Sequence, residues 1–135
     1  MEILSKSPQD TKELAFRIAG KIKPGQVLAL FGDLGSGKTT FVGYLVEGLG
    51  IKARVQSPTF VLLRKYGFVN HLDLYRLLNV GDVLDIGFTE IIGSDAVSVI
   101  EWPELVEELL PQNCIKIHFE YVNETTRKIT IHSLD

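Results

Sequence analysis

One stretch of this chain carries the residues a polyphosphate would need. Gly32-Asp33-Leu34-Gly35-Ser36-Gly37-Lys38-Thr39-Thr40 contains the full eight-position pattern G-x-x-x-x-G-K-T, from Gly32 to Thr39. Its glycines let the backbone turn so that successive N–H groups converge on phosphate oxygens. The helix that must follow adds its own free N–H groups and the positive end of its dipole. Lys38 would reach the outer phosphates and the Thr39 hydroxyl would ligate Mg²⁺, while Asp33, Gly35, Ser36, Gly37 and Thr40 complete the loop around the ligand. The base has its own sequence signals. Guanine-specific domains carry Asn-Lys-x-Asp, whereas Asn79-Val80-Gly81-Asp82 lacks the lysine and no Asp-x-x-Gly occurs, so ATP is favoured over GTP.

Phosphoryl transfer on such a loop also needs a carboxylate at the end of a neighbouring buried strand, to help hold Mg²⁺ and its waters. Val97-Ser98-Val99-Ile100-Glu101 is an apolar run ending in Glu101, which makes Glu101 the preferred magnesium-side acid. The more polar run Phe68-Val69-Asn70-His71-Leu72-Asp73 ends in Asp73, suited to orienting a water or an outer ligand. In extended chain His71, Asp73 and Tyr75 share one face and Leu72 and Leu74 the other. That pattern fits a functional face turned to the nucleotide and equally a solvent-facing edge strand.

The loop works only between a buried strand and a helix, and both are predicted. Val27 to Phe31 is a continuous apolar run of the kind found in strands covered on both faces. Val42, Leu45, Val46 and Leu49 then recur at helical spacing up to Gly50. Before them come a short strand, Glu2 to Ser5, and a helix with Ser7 as cap and Pro8 in its first turn. Ala15, Ile18, Ala19 and Ile22 form its apolar stripe, and Pro24-Gly25 ends it. Strands are expected around Phe60 to Tyr66, Phe68 to Leu74 and Ala96 to Ile100, with short helical turns from Val80 to Ile92 and from Pro103 to Leu110. Ile115 to Tyr121 and Lys128 to His132 read as a closing hairpin. Helices alternating with buried strands predict an α/β fold: a P-loop NTPase-like mixed, mostly parallel sheet flanked by helices, with a closing C-terminal β-hairpin.

Composition agrees and excludes several classes. The 135 residues fit a single domain, 1–135, with 45% hydrophobic and 23% charged residues, too apolar for disorder. No stretch reaches membrane-span length and the start has no signal-peptide layout. A lone cysteine, Cys114, can form neither an internal disulfide nor a multi-cysteine metal site; a cytoplasmic location is therefore expected. The net charge of −3 does not mark a dedicated nucleic-acid binder. Its distribution is uneven: Lys52, Arg54, Arg64 and Lys65 lie in a stretch free of carboxylates, and Glu101, Glu104, Glu107, Glu108, Glu120 and Glu124 in a later acidic one.

Four motifs occur in order: Gly-Asp-Leu-Gly-Ser-Gly-Lys-Thr-Thr-Phe (32–41), Ser-Pro-Thr-Phe (57–60), His-Leu-Asp-Leu-Tyr-Arg (71–76) and Ile-Glu-Trp-Pro-Glu (100–104). Together they resemble the bacterial TsaE family, small P-loop ATPases required for threonylcarbamoyladenosine (t6A) modification of tRNA. The resemblance spans nearly the whole chain. It implies ATP and Mg²⁺ as ligands, weak ATPase activity alone, and service to TsaB and TsaD, of which TsaD transfers threonylcarbamoyl onto adenosine 37 of tRNA. It implies Lys38 and Thr39 on phosphate and magnesium, Glu101 as the magnesium-side acid, Asp73 as a further active-site carboxylate, and Ser57, Pro58 and Thr59 in a nucleotide-sensing switch. It also implies adenine between the start of the first helix and the closing hairpin, where Thr11 and Arg127 stand. Ser36 takes a place where alanine is common in the family, and is small enough for the cradle to survive. A stand-alone small-molecule kinase is the competing reading, although no arginine-rich lid segment is evident.

Overall fold

The computed structural model describes residues 1–33, 35–55 and 62–132, so the predicted switch residues Ser57, Pro58 and Thr59 lie outside the described residues. The elements follow the sequence pattern closely. They are β1 (Glu2–Ser5), α1 (Pro8–Ala19), β2 (Val27–Phe31), α2 (Lys38–Gly48), β3 (Leu63–Tyr66), β4 (Val69–Asp73), α3 (Val80–Asp85), α4 (Phe88–Ile92), β5 (Val97–Glu101), a 3-10 helix (Pro103–Leu109), β6 (Ile115–Asn123) and β7 (Thr126–His132).

The first helix is shorter than its apolar stripe suggests. Its start is as predicted: Ser7 accepts a hydrogen bond from the Asp10 N–H (3.2 Å), and the Asp10 carboxylate accepts one from the Lys6 N–H (2.9 Å). Gly20 caps the other end, its N–H bonded to the Phe16 carbonyl, which leaves Ile22 off the helix but still packed against the core. Removing an N-cap hydroxyl usually costs about 1 kcal/mol. Ser7→Ala should therefore lower the unfolding free energy by that amount, read as a lower urea midpoint at an unchanged slope, since the surface exposed on unfolding stays the same.

The seven strands form one sheet in the order β1-β7-β6-β2-β5-β4-β3. The four central strands β6, β2, β5 and β4 are parallel, β3 and β7 run against them, and β1 runs against β7. The sheet is thus mixed, with five of seven strands in one direction, and β6–β7 is the expected hairpin. Alternation along the strands sends side chains to two cores. Leu28 and Leu30 of β2 pack with Val97 and Val99 of β5 under α1 and α2. Val27 and Ala29 pack with Leu72 and Ile100 on the opposite face, which α3, α4 and the 3-10 helix cover. Every residue of β2 but Phe31, and every residue of β4 and β5, is buried. That settles the segment holding His71 and Asp73: β4 lies between β5 and β3 and is not a solvent-facing edge.

Candidate nucleotide site

The carboxyl ends of β2, β5 and β4 meet at one edge of the sheet, the usual place for ligands in parallel α/β sheets. Register does the alignment: Leu30 pairs with Glu101, and Glu101 with Asp73. Val69, Val97 and Val99 face α2, so by the two-residue period His71, Asp73 and Glu101 face it too. The carboxylates inferred from two separate runs of sequence therefore stand side by side beneath the phosphate loop.

The loop has the form its glycines predict. Gly35 and Gly37 adopt φ +77° and +101°, and a Cβ on either would meet nothing within 4 Å, so their outer side is open space. Gly32 is the opposite case: a Cβ there would come within 2.6 Å of the Phe119 carbonyl oxygen and 2.8 Å of Ser36 Oγ. Whereas α1 is capped by Ser7 and carries Asp10 in its first turn, α2 starts at Gly37 with no side-chain cap among the described residues and no acidic residue in that turn. An eleven-residue helix left with bare N–H groups at an open cradle is arranged for an anion. Ser36 is buried, with its hydroxyl unpaired among the described residues.

Lys38 is only 5% exposed. Its Nζ donates to the Gly32 carbonyl (2.5 Å) and lies 3.5 Å from the centroid of the Trp102 ring, a cation–π contact. Burial lowers its pKa from the usual lysine value, opposed by the nearby charges of Glu101, Glu104, Asp73 and Asp33. Trp102 holds this place at φ 58°, the one non-glycine residue with positive φ among the described residues. Its ring also meets Tyr75 at 4.8 Å. A bulky residue in that conformation costs roughly 1–3 kcal/mol, the kind of strain that collects at functional sites.

On the acidic side the Thr39 hydroxyl lies 3.2 Å from both carboxylate oxygens of Glu101. Asp73 accepts a hydrogen bond from the Tyr75 N–H (3.0 Å), yet burial raises its pKa above the ordinary aspartate value, and the Glu101 charge raises it further. Thr39 and Glu101 are oxygen donors close enough together to hold a Mg²⁺ ion. Among the described residues no three His, Cys, Asp or Glu gather into a cage. Mg²⁺ does not require one, because it takes one or two protein oxygens and completes its shell with water and phosphate.

A cavity of about 470 Å³ joins these groups, lined by Asp33, Gly35, Ser36, Gly37, Lys38, Thr39, Thr40, Asp73, Glu101 and Arg127 together with Tyr75, Arg76 and Trp102. A second, of about 440 Å³, adjoins it through Ser36, Gly37, Thr40 and Arg127, and is walled by Thr11, Pro8, Phe119 and Ile129. Thr11 and Arg127, the positions at which the resemblance implies adenine, both line the second cavity. The Thr11 hydroxyl is 2.6 Å from Ser5 Oγ. Arg127 donates to the Gly35 carbonyl (3.2 Å) and lies over the Tyr121 ring. Two contacts go beyond the sequence reading: Trp102 on Lys38, and His71, whose Nε2 is 2.5 Å from Glu101 Oε2. The histidine's position two residues before Asp73 was visible, but its partner depends on which strand lies beside β4.

Comparison with known proteins agrees with this geometry. The family described as "Threonylcarbamoyl adenosine biosynthesis protein TsaE" matches residues 5–129. The tRNA threonylcarbamoyladenosine biosynthesis protein TsaE of Bacillus subtilis is 40% identical over 128 residues, covering 92% of this chain and 80% of that protein. The protein of the same name from Treponema pallidum is 38% identical, covering 97% of this chain and 99% of its own length, and that from Aquifex aeolicus is 37% identical, covering 97% and 95%. The crystal structure of Bacillus subtilis YdiB superposes with a TM-score of 0.82 at 34% identity, over all of this chain and 86% of that one. With a matching fold, near-complete coverage and the motifs at 71–76 and 100–104 brought to the phosphate loop, the chain belongs to the TsaE family.

Proposed function

We propose that this chain is a Mg²⁺-dependent ATPase that serves the threonylcarbamoylation of adenosine 37 of tRNA, working in the cytoplasm with TsaD and TsaB. The observation that carries the nucleotide reading is the bare N-terminus of α2 above a cavity holding Lys38, Thr39 and two strand-end carboxylates. The tRNA reading rests on the family, whose relatives are named for t6A biosynthesis.

The phosphates of ATP lie on the N–H groups of Gly35 to Thr40, with Lys38 turned to the outer phosphates. The base lies in the second cavity, between Thr11 and Arg127. Thr39 and Glu101 would hold Mg²⁺, which would supply charge neutralisation for the phosphates. Asp73 receives or orients the attacking water, its raised pKa bringing it nearer the working range of a general base. Positioning and electrostatics supply nearly all of phosphoryl-transfer catalysis, so a site completed by a partner turns over slowly alone. Contact with tRNA is indirect in this scheme, through the partner proteins.

The test is ATP hydrolysis by the purified chain, alone and with the TsaB–TsaD pair. Strong stimulation by the pair is expected. No stimulation, with phosphate appearing instead on a small acceptor, would replace this reading by that of a stand-alone kinase.

A further inference from the structure

His71 is wholly buried, at 0% exposure, and its Nε2 approaches Glu101 Oε2 to 2.5 Å. Its other nitrogen, Nδ1, is buried with no hydrogen-bond partner among the described residues. Burying an imidazole is costly unless its polar atoms are paired. The two nitrogens therefore distinguish the tautomers: a proton on Nε2 makes a bond to the carboxylate and leaves Nδ1 a bare lone pair. A proton on Nδ1 would strand a buried donor and set two lone pairs against each other.

The same carboxylate faces the Thr39 hydroxyl with both oxygens at 3.2 Å, and its register partner on β4 is Asp73, a second acid. Left to itself, a glutamate side chain beside a like charge would regain its rotamers and swing away. We infer that His71 is a positioning residue, whose Nε2–H pins Oε2 and so fixes the plane in which Glu101 presents its carboxylate to Thr39 and to the metal. The inference rests on the reading that Glu101 serves the magnesium side of the site. Hydrogen-bond partners behind a metal ligand typically account for 10–100-fold in metal affinity.

The experiment measures Mn²⁺ affinity in the presence of ADP by electron paramagnetic resonance, on the full chain, with thermal melts as the folding control. His71→Leu is expected to weaken Mn²⁺ binding by about tenfold or more. His71→Gln, whose amide nitrogen can occupy the place of Nε2, should restore it. In a Glu101→Gln background His71→Leu should add nothing, because its effect passes through that carboxylate. If His71→Leu does not fold, His71→Gln against His71→Asn carries the same test, asparagine being too short to reach Oε2. Equal Mn²⁺ affinity in the wild type and His71→Leu, while Glu101→Gln is weakened, overturns the inference and leaves the magnesium reading standing. An undiminished effect of His71→Leu in the Glu101→Gln background also overturns it. Unchanged affinity in Glu101→Gln overturns the magnesium reading, and this inference with it.

Discussion

Lys38→Ala will bind ATP about a hundredfold or more weakly than the wild type, while its affinity for adenosine stays the same. The ammonium is the cation best placed to meet the outer phosphates, and losing one partner of a desolvated charge pair costs roughly 2–5 kcal/mol. At about 1.4 kcal/mol per factor of ten, the lower half of that range already accounts for a hundredfold. The base cavity does not include Lys38, so the nucleoside reports on the remainder of the fold. Calorimetric titrations with ATP and adenosine separate the two effects. Normal ATP turnover by the variant would remove the phosphate loop from the mechanism.

Asp73→Asn should have an effect at least as large on turnover, and the effect is double-sided. Loss of a positioned general base commonly costs on the order of 10²–10⁴ in rate, so turnover in the presence of partners should fall by that factor while ATP still binds. Stability should move the other way. Because burial raises the folded-state pKa of Asp73 above its unfolded value, ionising it costs the folded state more than the unfolded one. That penalty is present at neutral pH and vanishes as pH falls below the unfolded carboxylate's pKa. Asparagine keeps an oxygen for the Tyr75 N–H and carries no charge, so it removes the penalty. The variant should melt above the wild type at pH 7 and together with it in acid. A melting difference that grew on acidification would contradict the assignment.

What could be read from the sequence divides along a physical line. Features made by neighbouring residues were legible: the phosphate loop, the Ser7 cap, the apolar β2 and β5, and the β6–β7 hairpin all rest on local turns and periodicity. Glu101 and Asp73 were legible as strand ends. Their standing side by side was not, because β4 and β5 are joined by a crossover through α3 and α4 that leaves no local trace of the pairing. The partner of His71 was hidden for the same reason. Tyr75 lines the same cavity as Asp73, though not as part of the strand. Alternation placed it on the face of His71 and Asp73, but the strand ends at Asp73 and the chain turns, Leu77 N–H bonding to the Leu74 carbonyl. The Tyr75 ring therefore goes to Trp102, not to the sheet. Thr11 and Arg127 come from distant parts of the chain, and only the family resemblance suggested that they flank one space.

That last juxtaposition bears on the order in which the protein is made. β7 is the partner of β1, and the cavity between Thr11 and Arg127 takes one wall from each end of the chain. A polypeptide emerging from the ribosome acquires Lys38, Asp73 and Glu101 well before Arg127 and Ile129. Until β7 docks, β1 has no strand to join among the described residues and the second cavity lacks a side. Completion of the sheet is in this way also the step that closes the second cavity.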